Sequence, residues 1–360
     1  MATVLKQCKI IIWDECTMAH KHSLEALDRT LKDIKNNGKL FGGTLLLLSG
    51  DFRQTLPVIP RSTYADEIDA CLKSSRLWRY VEKVQLTVNM RVQMLQDTYA
   101  EIFSKQLLDI GNGKVPVHEN TGCIKLQPDF CTIINTQNTL IHHIFPDVQT
   151  QYKNLEWLSE RAILAAKNVD VNELNSKIQE LLPGDLVSYK SVDTVCDPNE
   201  AVNYPNEFLN SLDMPGMPPH HLKLKVGSPV ILLRNLNPTR LCNGTRLVIK
   251  KLMKNVIEAS ILNGKFRGEN VLLPRIPMIP TDVPIDFKRI QFPIRLAFAM
   301  TINKSQGQTL SVCGLDLGTP CFSHGQLNVA CSRVGKPSSL FVLATDGLTK
   351  NIVHSIALRD

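Results

Sequence analysis

The sequence predicts an α/β protein of more than one domain, and three observations carry that prediction. Two short, continuous apolar runs, Ile10-Ile11-Ile12-Trp13 and Leu45-Leu46-Leu47-Leu48, flank a stretch with helical periodicity. The same buried-strand signature returns at Ala162–Ala166 and Leu296–Met300. Between those two, from Leu222, the chain changes to short strands punctuated by turns. Continuous apolar runs belong to parallel sheets covered on both faces. Regularly spaced short strands belong to a small barrel or sandwich.

Taken in order, the first run ends in two adjacent carboxylates, Asp14 and Glu15. Open α/β sheets carry their chemistry beyond the carboxyl ends of their strands. Two acids there are costly unless something positive sits against them. A magnesium ion carrying a nucleotide meets that need, with Asp14 holding the metal through water and Glu15 orienting the attacking water. A solvated Asp-Glu turn is the plainer alternative. Ser23 to Lys35 reads as a helix with Ser23 at its cap and Leu24, Leu27, Leu31 and Ile34 on one face. The second run then empties into Gly50-Asp51-Phe52-Arg53-Gln54. Strand, helix, strand makes a right-handed crossover, so both strand ends open on one edge and Asp14, Glu15 and Gln54 converge. Gln54 can bond a phosphate oxygen or a water without adding charge, which suits a sensor of nucleotide state.

Further along, Asp66–Leu77 reads as helix and Val84–Val88 as strand, followed by Asn89-Met90-Arg91. Glu101–Leu108 is amphipathic and stops at Gly111, placing a boundary near residue 110. A second α/β region begins at 111. It contains the Ala162–Ala166 strand and a helix marked by Val171, Leu174, Ile178 and Leu181, and it runs into a Pro- and Asn-rich loop over Cys196–His221. Residues 222–290 form the inserted barrel, with strands at Gly227–Leu233, Thr245–Leu252, Val256–Leu262 and Asn270–Leu273 and hairpin signals at Asn243-Gly244 and Asn263-Gly264. Residues 291–360 return to the second α/β domain through Leu296–Met300, the polar run Thr301–Thr309, a strand at Val312–Leu317, a helix at Ser323–Cys331 carrying Arg333, and a last strand at Leu340–Ala344.

Composition narrows the class. Hydrophobic residues make up 43% of the 360, and no apolar run approaches a membrane span or the core of a signal peptide. Ten cysteines include no C-x-x-C pair, which fits reduced thiols in a nuclear or other intracellular compartment and argues against a zinc ribbon. The pairs His142-His143 and His220-His221 have no acidic or cysteine partner at ligand spacing. Charge is uneven. Lys223 to Lys304 holds fifteen basic residues against four acidic ones, leaving +11 where the whole chain carries +7. Such a segment suggests a polyanion track, against the alternative of solvated lysines on strand edges.

At several stretches the chain resembles the Pif (petite integration frequency) DNA helicases of superfamily 1, in the form carried by Helitron transposons. The stretches are Ile11–Met18, Gly50–Val58, Leu86–Arg91, Leu222–Gly227, Leu232–Leu236, Leu241–Arg246, Thr301–Thr309 and Gly325–Val334, in the family's order. The resemblance implies an ATP- and magnesium-dependent motor moving 5′ to 3′ on single-stranded DNA, serving DNA repair, recombination, telomere maintenance or transposition. It implies two RecA-like P-loop NTPase domains, the first incomplete, and identifies the inserted barrel as SH3-like. By motif, Asp14 and Glu15 serve magnesium and the attacking water, Gln54 senses the γ-phosphate, and Arg91 and Arg333 reach it from the second domain. A planar, always-charged guanidinium suits that task. The plain alternatives are a boundary salt bridge for Arg91 and a helix-end charge for Arg333. Thr301, Lys304, Ser305, Gln306 and Gly307 line the DNA path and couple it to the nucleotide, Gly307 approaching both, and Lys223, Lys225 and Arg234 add DNA contacts. Asn303 stands where many relatives have histidine, and Asn328 where an aromatic is usual, the latter read as a packing change.

The family's G-x-x-x-x-G-K-[ST] loop does not occur within the 360 residues. The expectation is a helicase core without its opening part, inactive as an ATPase by itself and showing an apolar sheet edge beside Ile10–Ile12. The competing expectation is a non-catalytic, transposon-derived remnant that binds nucleic acid.

Overall fold

In the computed structural model, residues 2–59, 63–95, 98–197, 199, 202–280 and 285–359 are described. The chain divides into two units: residues 1–135, 305–309 and 317–360 form one, and residues 136–304 and 310–316 the other.

In the first unit, β1 (Ile10–Trp13) and β2 (Leu45–Leu48) pair in parallel, Ile10 opposite Leu45. The connecting helix α1 (Lys21–Lys35) begins two residues earlier than its periodicity suggests. His20 takes the cap position, its ring accepting from the His22 amide, so Ser23 lies inside the helix. Leu24 of α1 packs with Cys16, Leu72 and Leu77 under Trp13, Leu46 and Leu48. This covers one face of the pair. The alternate residues Ile10, Ile12, Leu45 and Leu47 are 55–69% exposed, so the expected two-sided burial holds for one side only, and a whole apolar face is open rather than an edge alone.

Next comes α2 (Tyr64–Ala70), closed by a capping box between Thr63 and Asp66. A 3₁₀ turn at Leu72–Ser74 stands within the rest of the helix expected to Leu77, and another follows at Trp78–Tyr80. Residues 81–89 form no strand, although Val84, Leu86 and Val88 alternate as one should. Leu86 is 95% exposed, so this alternation has no sheet to face. Then follow α3 (Met90–Leu95), α4 (Thr98–Gly111) and β3 (Thr132–Ile134).

The second unit holds two kinds of sheet. β4 (Arg161–Ala165) is followed by α5 (Asn168–Glu180), β5 (Val187–Lys190), β6 (Val192–Val195), α6 (Asn206–Ser211) and β7 (His221–Leu224). The stretch expected to be wholly loop therefore contains a helix. β8 (Pro229–Leu232), β9 (Arg246–Leu252), β10 (Val256–Ile261), β11 (Asn270–Pro274), β12 (Ile276–Met278), β13 (Phe287–Gln291) and β14 (Ile294–Leu296) build the insertion. Its five-stranded sheet runs β11–β10–β9–β8–β14, with a second sheet β12–β13–β6 and the pair β5–β7. The strands thus reach past 222–290 at both ends, and Tyr189, Phe292 and Ile294 join one apolar core with Leu232, Leu247 and Ile257.

Neither Asn-Gly pair makes a two-residue hairpin. The tight connection is Leu252 to Val256, closed by the Met253 amide on the Val256 carbonyl, while Gly244 and Gly264 sit in longer turns. The expected Leu296–Met300 strand is split. Leu296 ends β14 in the barrel sheet, and β15 (Ala299–Thr301) starts a parallel sheet ordered β15–β4–β16, with β16 at Val312–Asp316. Asn175 of α5 closes the Ala299 backbone, accepting from its amide and donating to its carbonyl, both at 2.9 Å.

Back in the first unit, α7 (Gln326–Cys331) is followed by β17 (Leu340–Leu343), which pairs in parallel with β3. No helix among the described residues is long and apolar enough to cross a membrane.

Candidate functional site

Asp14 and Glu15 leave the end of β1 in a turn that puts Glu15 at φ 50°. A side-chain-bearing residue adopts that conformation at a cost of about 1 kcal/mol. Asp14 is exposed, and its carboxylate accepts from the Glu15 amide at 2.9 Å. Glu15 is held from a distant part of the chain: Gln306 Nε2 donates to Glu15 Oε2 at 2.6 Å. Thr55 Oγ donates in turn to Gln306 Oε1. Both ends of the Gln306 amide are used, and Gly307, at φ 76°, brings bare backbone over Glu15.

The loop carrying Gln306 is bracketed by Arg333. Its Nη1 donates to the Ser305 and Gln308 carbonyls at 3.0 Å each, its Nε to the Val329 carbonyl at 2.8 Å, and its Nη2 to Ser332 Oγ. Arg333 is therefore a buried strut within the unit that holds Asp14 and Glu15, not a finger extended from another. It also satisfies one carbonyl near the end of α7, that of Val329, as a helix-end charge does.

Gln54 and Arg333 line one cleft of about 370 Å³ together with Asp51, Arg53, Asn328 and Ser332. Asp14 and Glu15 do not line it; Glu15 reaches it through the Gln306 loop. Arg53 is fixed there, with Nε donating to Asn112 Oδ1 at 2.8 Å and Nη1 lying 3.3 Å from Asp51 Oδ1. Gln54 Oε1 is buried with no hydrogen-bond partner. A buried acceptor of this kind pairs with a donor such as a water and not with a phosphate oxygen, which the Gln54 Nε2 would have to meet. No cluster of three metal-ligating side chains occurs among the described residues. Asp14, which does not line this cleft, is the exposed carboxylate of the pair, the kind through which magnesium is ordinarily held by way of water. Arg91 lies in α3, and its side chain is outside the described residues.

The residues expected on the DNA path separate. Thr301, Lys304, Lys223 and Lys225 line a cavity of about 460 Å³ in the second unit, with Arg295, Asn168, Asn172 and Ser176. Lys304 reaches solvent, yet surrounding protein first, and Arg295 second, holds its ammonium below the ordinary lysine range. Lys225 also caps a helix end, its Nζ donating to the Leu182 carbonyl at 2.6 Å. Arg234 does not line the cavity and donates to the Leu233 carbonyl. Ser305 is fully buried, so it presents backbone to Arg333 rather than a hydroxyl to DNA.

Two of the fifteen basic residues are removed from any polyanion track. Arg246 is buried against the Leu158, Ser159 and Arg161 carbonyls, and burial pulls it down to about 10. Arg289 is buried against Asp193, with Nη2 to Oδ2 at 2.7 Å, and donates to the Leu209, Leu212 and Pro218 carbonyls. Motif reading missed the work of Thr55, His324 and Gly325. The last two precede α7 and touch the Gln54 loop directly.

A family profile described as PIF1-like helicase matches residues 1–121, and one described as the 2B domain of DNA helicase Pif1 matches residues 207–252. Among curated proteins, the chain is 27% identical to the ATP-dependent DNA helicase PIF1 of Mus musculus, over 94% of this chain and 46% of the relative. It is 26% identical to the ATP-dependent DNA helicase RRM3 of Saccharomyces cerevisiae, over 94% and 51%. The chain spans about half the length of the curated relatives it matches. In fold it is similar to Pif1 helicase from Bacteroides in complex with ADP-AlF3 and ssDNA, with TM-score 0.70, 23% identity and coverage of 99% of this chain and 75% of that one. It is likewise similar to Pif1 helicase from Candida albicans, with TM-score 0.68, 24% identity and coverage of 99% and 76%.

Proposed function

We propose that the chain is a PIF1-like helicase and that it carries the acidic, sensing and DNA-contacting parts of an ATP-driven motor on single-stranded DNA, on the strength of the two family matches and the curated relatives. By motif order we assign residues 1–110 to a first RecA-like domain, 111–221 and 291–360 to a second, and 222–290 to an SH3-like insertion, although by contacts residues 305–309 and 317–360 group with 1–135. The relatives are named ATP-dependent DNA helicases, and one related structure is titled as a complex with ADP-AlF3 and ssDNA. Translocation runs 5′ to 3′ and duplex unwinding follows from it.

The observation that carries the reading is the cleft that Gln54 lines together with Arg53 and Arg333, where a side-chain amide and two guanidiniums offer donors to phosphate oxygens. Bound magnesium supplies charge neutralisation at the phosphates, with Asp14 as its protein ligand through water. Glu15, aimed by Gln306, orients the attacking water and accepts its proton. Gln54 registers the γ-phosphate, while Arg333 leaves its carbonyl partners or shares its donors to meet the phosphate charge. Arg91 adds a second guanidinium. Lys304, Thr301 and Lys223 bear on the DNA backbone. Without a G-x-x-x-x-G-K-[ST] sequence, residues 1–360 by themselves turn over ATP no faster than their Glu15→Gln variant.

The test is nucleotide discrimination. With magnesium and fluorescent nucleotides at millimolar concentration, the chain binds ATPγS more tightly than ADP, and Gln54→Ala or Arg333→Ala abolishes the preference. Equal affinities in the wild type, or a preference that survives both substitutions, contradict the reading.

A further inference from the structure

The segment His324 to Asn328 grips the backbone of the Gln54 loop at three successive points. His324 Nε2 lies 2.7 Å from the Phe52 carbonyl. Asn328 Nδ2 donates to the Arg53 carbonyl at 3.1 Å. Between them Gly325, at φ 68°, lets the loop come so close that a Cβ would stand 2.5 Å from the Arg53 and Gln54 carbonyl oxygens. No side chain fits there, and the backbone conformation itself favours glycine. Five residues beyond Asn328, the same chain segment supplies Arg333 to the cleft that Gln54 lines.

The tautomer of His324 follows from its partners. Nδ1 accepts from the His354 amide at 2.7 Å, so that nitrogen carries a lone pair. The proton then sits on Nε2 and is donated to the Phe52 carbonyl. The ring is fully buried and stacks on His354 at 5.0 Å, while His354 is tied to Glu67 at 2.9 Å. Besides burial and the Phe52 carbonyl, His354 disfavours a charge on His324 and Asp51 favours one. Asn328 is held as closely, since its Cγ would lie 3.2 Å from a Cβ at Gly111. The asparagine is therefore more than a change of packing: its amide supplies the Arg53 carbonyl with a donor that a phenyl ring lacks.

We propose that His324 and Asn328 are positioning residues that, with the bare backbone of Gly325, fix the Phe52–Gln54 carbonyls and so hold the Gln54 amide in register with Arg333. The grip itself stands on these contacts, while its consequence for nucleotide sensing rests on the function proposed above. The segment thereby joins sensing glutamine and arginine into one rigid element, so that a shift at either is felt at the other.

Hydrogen exchange of the full chain tests the grip, and nucleotide discrimination tests its consequence. Amides of residues 51–56 exchange about ten-fold faster in Asn328→Ala and in His324→Phe, as expected for losing one hydrogen bond each. His324→Gln, which offers a donor to Phe52 and an acceptor to His354, restores slow exchange. Exchange that is unchanged in Asn328→Ala and His324→Phe overturns the proposal, as does loosening that extends equally to α1 and shows general unfolding. Where the wild type prefers ATPγS, both loosened variants lose the preference while still binding ADP; retention of the preference overturns the positioning role. Loosened exchange in a wild type that shows no preference leaves the grip established and refutes the sensing function instead.

Discussion

Gln306 and Glu15, 291 positions apart in sequence, meet through a 2.6 Å hydrogen bond from Nε2 to Oε2. The bond points one carboxylate oxygen and leaves the other, which faces Gly307, for chemistry. Replacing the amide with a carboxylate sets two negative charges at that separation. Gln306→Glu accordingly destabilises the fold by about 2 kcal/mol at pH 8. The loss shrinks toward pH 4, where one of the two acids takes a proton. Urea unfolding at the two pH values measures this, and an equal loss at both contradicts the contact.

His324 gives the fold a defined acid sensitivity. Burial, the largest influence, pushes its imidazole down to about 4 from the ordinary value of 6.5. The folded state thus refuses a proton that the unfolded chain accepts. The contribution is fully present above about pH 6.5 and is lost as pH falls to about 4, amounting to about 3 kcal/mol. His324→Gln removes this slope. Unfolding free energies measured from pH 7.5 to 4.5 on both proteins isolate it by difference.

Asp193 and Arg289 form a fully buried pair that also organises residues 209–218. Removing either partner strands a charge in the interior, so Asp193→Asn or Arg289→Met costs about 3–5 kcal/mol. The apolar double variant recovers little, because the carbonyls of Leu209, Leu212 and Pro218 then lose their donor. Chemical denaturation of the two single variants and the double one checks both statements.

The proposed binding to single-stranded DNA is expected to weaken steeply with salt. Lys223→Ala and Lys304→Ala each lower the slope of log K against log salt by about 0.7, the value for one single-strand phosphate contact. Lys251→Ala, outside the cavity, serves as the control and leaves the slope unchanged. Fluorescence anisotropy with an oligothymidylate from 50 to 300 mM salt reads these slopes.

Much of this was legible in the sequence because it depends on local periodicity. β1, β2, β4 and β16 announce themselves as apolar runs, and α5 by its i, i+3, i+7 spacing. What misled was pattern without partner. Val84–Val88 alternates like a strand, but a strand exists only when another pairs with it. Asn243-Gly244 and Asn263-Gly264 carry the right residues for tight hairpins, yet the connections are longer and the register is set elsewhere. In the site, the acids and amide were visible as motif residues. Their supports, Gln306 on Glu15 and the His324–Asn328 grip on Gln54, are contacts across hundreds of positions that no spacing rule encodes. Arg333 was found by motif, while its role as a buried strut depends on carbonyls exposed only when the 305–308 loop is folded.

A motor requires nucleotide and DNA to influence each other's binding, and that coupling is reciprocal. The decisive measurement is the affinity of the chain for an oligothymidylate with and without saturating magnesium ATPγS, in the wild type and in Gln306→Ala. The account predicts that ATPγS shifts DNA affinity by at least about three-fold and that Gln306→Ala abolishes the shift. Identical DNA affinity in the presence and absence of ATPγS contradicts it.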